Sequence, residues 1–211
     1  RRVYALVYTI HHYTGCRTKE LLNLKWRHIT INPNDNAFDR KTNRIVHIPA
    51  DNSKTGRSRD IIAPIGQQIE RLIRWYREMG LEVDQKSDRY VFPRLTDTTK
   101  NENIPTSDVA WTKRLRNVLA GAERDGVIDL NGRNISNYCA RHHHITEAIQ
   151  RGVDIYDIAL NCGTSLNYIE KTYSHITTLM RSRDITKGLG RQATYDPRKD
   201  EEYLKATRMG E

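Results

Sequence analysis

Two short segments of the sequence place a cation where it could meet a phosphate. In YTGCRTKELLNLKW, Arg17 follows a Thr-Gly turn at the start of an amphipathic helix, where a planar guanidinium and free backbone N–H groups both favour an oxyanion. In NSKTGRSR, Lys54 lies in a polar turn between two short apolar segments, and its flexible ammonium can reach a neighbouring phosphate. Taken alone, each residue is more often an exposed charge in water.

Two further segments combine hydroxyl groups with an arginine. In YCARHHHIT, Tyr138 and Arg141 are three positions apart, so their side chains share one face of the predicted helix. In CGTSLNYIEKTYSHI, Tyr173 follows Thr164 by nine positions. Tyr173 also belongs to a helical stripe of apolar residues, and this segment by itself favours a core aromatic whose hydroxyl reaches the rim.

The histidine tracts do not predict a metal site. His142, His143 and His144 are consecutive, so on a helix their side chains diverge around the axis, and neither the cysteine nor the carboxylate spacing of a zinc site accompanies them. The pair His11 and His12 has the same defect, and we interpret both as packed or exposed helix residues. We therefore expect no bound metal.

Hydrophobic periodicity predicts a mainly helical α+β fold with a small antiparallel sheet of three strands. A helix pair opens the chain, with its second helix after Gly15, and the strand segments 45–49 and 60–64 flank the turn that carries Lys54. The third strand is expected at 29–31. Further helices are predicted over 65–76, 111–122, 135–151, 153–162 and 165–176 and up to about residue 189, surface loops over 94–105 and 124–134, and a polar C-terminal tail over 191–211.

Composition indicates the class of partner. Lys and Arg number 35 against 26 Asp and Glu among 211 residues, which gives a formal net charge of +9. A polyanion is therefore the leading class of partner, and nucleic acid is the first candidate. No apolar run is long enough to cross a bilayer. The three scattered cysteines indicate no disulfide framework and fit a reducing cytoplasm.

In combination and in chain order, the four segments resemble the catalytic domain of the tyrosine recombinase, or phage integrase, family. That family has a Thr-Gly-x-Arg-x-x-Glu-Leu-x-x-Leu-x-Trp box, a Ser-Lys-Thr-Gly hairpin, a second box ending in Arg-His, and a Gly-His pair before a nucleophilic tyrosine. The matching positions are Arg17, Glu20, Leu21, Leu24, Trp26, Lys54, Arg141, His142, Gly163 and Tyr173. Tyr138 and Thr164 depart from the pattern, because the family usually has histidines there. Their hydroxyls are expected to support catalysis by hydrogen bonding.

The resemblance implies a reaction and a role for the other four site residues. Tyr173 would attack a DNA phosphodiester, form a 3′-phosphotyrosyl bond and free a 5′-hydroxyl. Arg17 and Arg141 would donate hydrogen bonds to the phosphate oxygens, and Lys54 would protonate the departing 5′-oxygen. Because one ester bond is exchanged for another, neither a cofactor nor a metal is required.

The implied function is site-specific DNA recombination by cleavage and rejoining of strands, with double-stranded DNA as the partner. The family implies a homotetramer on DNA, with a monomer as the alternative in its absence. Residues 1–190 are expected to form the catalytic domain, and the tail could pack on a neighbouring protomer. Because the sequence begins inside a helix pattern without Met, we interpret it as a fragment that lacks the family's N-terminal core-binding domain. The expected setting is a bacterial cytoplasm, with a phage or mobile element as one source.

Two alternatives share parts of this evidence. A type IB topoisomerase-like enzyme would use the same tyrosine and arginines to relax one duplex without strand exchange. A basic, non-catalytic DNA-binding module is compatible with the two altered positions. The candidates for following the DNA backbone are Lys25, Arg27, Arg57, Arg59, Lys113, Arg114 and Arg116.

Overall fold

The computed structural model describes residues 2–95 and 100–180. The helices are α1 (Arg2–Thr14), α2 (Thr18–Leu22), α3 (Ala37–Thr42), α4 (Gly66–Glu78), α5 (Asp108–Arg124), α6 (Cys139–Gln150), α7 (Ile155–Cys162) and α8 (Leu166–Met180). The strands are β1 (Ile29–Thr30), β2 (Arg44–Ile48), β3 (Arg59–Ala63), β4 (Pro93–Leu95) and β5 (Lys100–Pro105). Short 3₁₀ helices lie at Trp26–His28 and Ala50–Asn52.

The predicted fold class is confirmed. Strands β1, β2 and β3 form an antiparallel sheet in that order, with Ile29 opposite Val46 and Val46 opposite Ile61. Val46, Ile48 and Ile61 are fully buried, whereas Ile62 is exposed. This alternation is what one buried sheet face requires, because successive side chains of a strand point to opposite faces.

Three elements differ from the sequence-based expectation. Residues 94–105 were expected to form a loop, but they contain β4 and β5, which pair antiparallel with Arg94 opposite Asn101. Backbone hydrogen bonds form this pair, and the polar sequence of β5 carries no period-2 pattern that could reveal it. Helix α3 forms in an Asn-rich segment because the Asn36 side chain accepts two backbone hydrogen bonds of its first turn. Helix α6 begins at Cys139, four residues later than expected.

The hydrophobic core fixes the backbone on both sides of Arg17. Ile10 of α1 and Leu21 of α2 are completely buried, so the intervening turn is anchored at each end by apolar burial. Leu24 and Trp26 continue the same anchorage after α2. Other large side chains that are fully buried include Ile48, Ile61, Ile65 and Leu72.

The chain divides into two compact units, Arg1–Ser174 and His175–Glu211. All six predicted site residues belong to the first unit. The described part of the second unit is the C-terminal end of α8. The predicted domain boundary near residue 190, the helix up to residue 189 and the tail over 191–211 lie outside the described residues.

Within the described segments, we find no helix that combines the length and the apolar character needed to span a membrane.

Candidate active site

Three arginines meet at the C-terminal end of α7. The carbonyl oxygens of residues 161–163 accept one hydrogen bond each, from Arg59 Nε (3.3 Å), Arg141 Nη1 (2.7 Å) and Arg17 Nη2 (2.7 Å) in that order. The last carbonyls of a helix have no partner within the helix and carry the negative end of its dipole. This helix end therefore gathers guanidinium groups from three distant parts of the chain.

Arg141 is the centre of this arrangement. Its side chain is almost completely buried at 1% exposure, and Nη1 also donates to the carbonyl of Gly15 at 2.7 Å. Arg141 thus connects α6 to both the α1–α2 turn and the end of α7. Among the described residues its Nε–H has no hydrogen-bond acceptor, although buried donors are normally satisfied.

Glu20 is the counter-ion of the other two arginines. Its carboxylate accepts hydrogen bonds from Arg17 Nη1 (2.9 Å), the Arg17 backbone N–H (2.9 Å), Arg59 Nη1 (3.2 Å) and Arg59 Nη2 (2.6 Å). Burial by itself would raise the pKa of Glu20, but hydrogen bonds and charge from Arg59 and Arg17 outweigh it and hold the pKa below its usual value. Three guanidinium groups against one carboxylate leave the site with excess positive charge.

We expect the Glu20→Gln variant to lose about 3 kcal/mol of unfolding free energy at pH 7, because two partly buried guanidinium groups lose their buried anion. The depressed pKa of Glu20 means that its stabilisation is present above the unfolded-state pKa of about 4.3 and is lost as the pH falls through the folded-state value. The difference in unfolding free energy between wild type and variant should therefore become smaller below about pH 4. Urea denaturation from pH 7 to pH 3 measures both effects.

The matched control is Asp88→Asn, which removes a carboxylate that pairs with Lys25 and Arg27 on the surface. That change should have little effect on stability. A Glu20→Gln protein as stable as the control would contradict the assigned role of this carboxylate.

Tyr173 lies on α8, is 4% exposed and is close enough to Arg141 to interact with its charge. Its hydroxyl is 2.5 Å from Nδ1 of His142. Burial raises the pKa of Tyr173 well above its usual value, with Tyr168 and Tyr138 adding to the shift and Arg141 opposing it. Burial, followed by the charge of Arg141, lowers the pKa of His142. In the tautomer whose Nδ1 carries no proton, the Tyr173 phenol donates this hydrogen bond to His142.

Tyr138 and Thr164 occupy the rim of the same site. Tyr138 is 37% exposed, its ring meets His142 edge-on with centroids 4.8 Å apart, and its hydroxyl is hydrogen-bonded to Tyr168. Thr164 follows Gly163, which ends α7 in the left-handed conformation at φ 64°. This conformation favours glycine, and a Cβ there would lie 2.5 Å from the guanidinium carbon of Arg59, which would have to move.

Lys54 is not brought into contact with the other predicted site residues. It lies exposed in the turn between β2 and β3, and within the described segments it makes no hydrogen bond or ion pair. The hairpin that carries it is nevertheless tied to α2, because Asn52 Nδ2 donates to the carbonyl of Glu20 at 2.9 Å. This bond anchors the hairpin two residues before Lys54 to the helix that carries Glu20.

The model of the Phage integrase family matches residues 2–179. The chain belongs to the phage integrase family. No curated protein matches it in sequence.

Solved structures with the same fold are recombinases and integrases. The XerH site-specific recombinase in a post-cleavage complex with palindromic difH substrate has a TM-score of 0.57 at 19% identity, covering 88% of this chain and 44% of XerH. The Tn1549 transposon integrase with circular intermediate DNA has a TM-score of 0.53 at 15% identity, covering 95% and 57%. XerA recombinase gives 0.53 at 17%, covering 90% and 64%. The chain thus spans about half the length of the XerH and Tn1549 proteins.

Three residues of this phage integrase family site were missed or misplaced by the sequence analysis. Arg59 was a candidate for following the DNA backbone, but its side chain is 10% exposed and engaged with Glu20. Glu20 and His142 were matched to the family boxes without a role in the site. The spacing of Glu20, three residues after Arg17, is a capping-box signal that could have indicated their contact, whereas nothing local indicates the partner of His142.

The histidines of α6 diverge as predicted, but each meets a different partner. His142 contacts Tyr173, His143 Nδ1 lies 3.3 Å from His12 Nδ1, and His144 packs against Gly15. Within the described ranges, His12, His143 and Glu147 are the group whose ligand atoms all lie within 4.8 Å of one another, close enough to share a metal ion. The expectation of no metal rested on spacing within each segment of the sequence, and it did not combine a ligand from α1 with ligands from α6.

Proposed function

We propose that this chain is the catalytic domain of a site-specific DNA recombinase that cleaves and rejoins strands through a 3′-phosphotyrosyl intermediate. The observation that carries the proposal is the convergence of Arg17 and Arg141 on consecutive carbonyls, 162 and 163, beside the Tyr173–His142 pair. Family membership sets the reaction class, and this convergence supplies the groups that the reaction needs.

The arginines provide a binding site for the scissile phosphate. Without DNA, Arg141 Nη1 donates hydrogen bonds to two backbone carbonyls. Its Nε–H is buried and has no acceptor among the described residues. A non-bridging phosphate oxygen would satisfy such a donor, and charge-assisted bonds of this kind are roughly twice as strong as neutral ones. Arg17 and Arg141 together would stabilise the charge that builds on the phosphate in the transition state.

The proton movements follow from the same geometry. The Tyr173 oxygen attacks phosphorus, the bond from phosphorus to the 5′-oxygen breaks, and a new phosphotyrosyl ester replaces the phosphodiester. His142 Nδ1, 2.5 Å from the Tyr173 hydroxyl, is proposed to accept the phenolic proton in the tautomer that leaves this nitrogen unprotonated. Lys54 is proposed to donate a proton to the departing 5′-oxygen, supported by its exposed position on the anchored hairpin. Tyr138 and Thr164 are proposed to hydrogen-bond the phosphate through their hydroxyls.

Double-stranded DNA is the proposed substrate. The XerH and Tn1549 integrase structures are DNA complexes, and the excess positive charge of this chain and of its arginine cluster suits a polyanion. A homotetramer on DNA, a monomer in its absence, and a tail that packs on a neighbouring protomer stay predictions.

The test is to recover covalent protein–DNA adducts under denaturing conditions from cells that express the native protein, and to sequence the attached DNA. We expect adducts at a recurring sequence, and two plasmids that carry it should yield recombinants. Relaxation of one supercoiled plasmid without recombinants would instead favour the topoisomerase-like activity. DNA binding without any adduct would favour a non-catalytic module and overturn the proposal.

We expect the His142→Ala variant to form the adduct about 10²–10⁴-fold more slowly, because the phenolic proton loses its positioned acceptor. The rate is measured at saturating DNA with a nicked substrate that carries the recovered site. Added imidazole should restore part of the rate in His142→Ala and leave the control His47→Ala, an exposed histidine of β2, unchanged. A normal rate in His142→Ala would contradict the role.

A further inference from the structure

We propose that His12, His143 and Glu147 form a binding site for one divalent transition-metal ion, with Zn²⁺ the best fit, that links α1 to α6. This site is separate from the phosphate-binding arginines and does not rest on the proposed recombinase function. The ligand atoms, one from each residue, lie within 4.8 Å of one another in the structure, which contains no ion.

The backbone places the three ligands correctly for one ion. His143 and Glu147 are four positions apart on α6 and therefore share a face, while His12 comes from the last turn of α1 and faces them. His12 Nε2 lies 3.1 Å from Glu147 Oε2, His143 Nε2 lies 3.9 Å from Glu147 Oε1, and the Nδ1 atoms of the two histidines lie 3.3 Å apart. Ligand atoms of a tetrahedral zinc ion, with bonds of about 2.0–2.2 Å, lie about 3.4 Å apart. Rotation of the three side chains would bring their ligand atoms to this separation.

The chemistry of the donors selects the type of cation. Two imidazole nitrogens and one carboxylate oxygen suit Zn²⁺, Ni²⁺ or Cu²⁺, whereas Mg²⁺ and Ca²⁺ require mainly oxygen ligands. Without an ion, the Nδ1 atoms of His12 and His143 lie 3.3 Å apart, within hydrogen-bond distance of each other. A bound cation would instead use nitrogen lone pairs from both rings.

The surroundings leave room for the remaining coordination position. Side-chain exposure is 63% for His143 and 40% for Glu147, so water can complete the shell. A crevice of about 400 Å³ adjoins the site. It is lined by the carboxylates of Asp60 and Asp157, which favour a cation there, and by Arg151, which opposes one. His144, whose ring centroid is 6.3 Å from that of His12, faces the same space.

Binding would stabilise the junction between the two helices. Helix α1 leads into the turn whose Gly15 carbonyl binds Arg141, and α6 carries Arg141 itself. An ion bridging His12 to α6 would therefore hold this junction closed. At about 100-fold excess over its dissociation constant, Zn²⁺ should raise the melting temperature by about 5–10 °C.

The experiment is calorimetric titration of the chelator-treated full chain with Zn²⁺, supported by the visible absorption spectrum of bound Co²⁺. We expect one saturable site, and we expect His143→Ala and Glu147→Gln each to weaken it by at least about tenfold. The controls are His47→Ala, a histidine outside the cluster, and Cys139→Ser, which tests for a thiolate ligand. Both controls should bind like wild type.

Circular dichroism and the melting temperature without metal show whether each variant is folded, and Glu147→Gln keeps the size of the side chain. Absence of saturable binding would overturn the proposal. So would binding that is unchanged in folded His143→Ala and Glu147→Gln, or binding lost in Cys139→Ser. Because every readout is metal binding or melting, the result is independent of whether the chain cleaves DNA.

Discussion

Replacing Tyr173 by phenylalanine is expected to abolish covalent attachment to DNA, because the phenol that forms the proposed phosphotyrosyl bond is removed. The change removes one oxygen atom from a side chain that is 4% exposed and leaves its ring packing in place. It also removes the hydrogen bond to His142, a loss of about 0.5–1.5 kcal/mol in stability. The protein should therefore remain folded and bind its site while forming no adduct.

The measurement is adduct formation on a nicked substrate that carries the recovered site, resolved by denaturing electrophoresis. Tyr168→Phe is the matched control, since Tyr168 lies on the same helix and its hydroxyl is bonded to Tyr138 and not to His142. The control should keep the adduct. An adduct that persists in Tyr173→Phe and disappears in Tyr168→Phe would move the nucleophile to the other tyrosine and contradict our assignment.

Replacing Arg141 by lysine is expected to slow adduct formation at saturating DNA by at least about 10²–10³-fold. A lysine keeps the charge, but it cannot reproduce the planar fork that contacts the carbonyls of Gly15 and Cys162 and still offers donors to a phosphate. The variant should lose mainly the rate at saturating DNA. Its affinity for DNA should change less, because phosphates along the whole duplex contribute to binding.

Arg151→Lys is the control for Arg141→Lys, because Arg151 caps the same helix at an exposed position. The melting temperatures of both variants separate a loss of folding from a loss of chemistry. A folded Arg141→Lys protein that forms the adduct at the wild-type rate would exclude this arginine from the reacting centre.

The main elements of the fold could be predicted because they depend on neighbours in sequence. The stripe around Ile69 and Leu72, the hairpin around Lys54 and the stop of α7 at Gly163 all follow from spacings of two to four residues or from a single left-handed position. Strand β5 could not be predicted, since its polar residues pair through backbone atoms that carry no side-chain signal.

The sequence by itself determined which chemical groups are present: a phenol, two guanidinium groups and an ammonium, in an order that matches one family. The tertiary structure decided which of them meet. Arg17 and Arg141 converge because each donates a hydrogen bond to a carbonyl at the end of α7. Arg59 is held away from the surface by its bond to Glu20. His12 of α1 contacts His143 of α6. These contacts join residues 21 to 146 positions apart. Local propensity cannot determine contacts between residues so far apart in sequence. The packing of the whole core determines them.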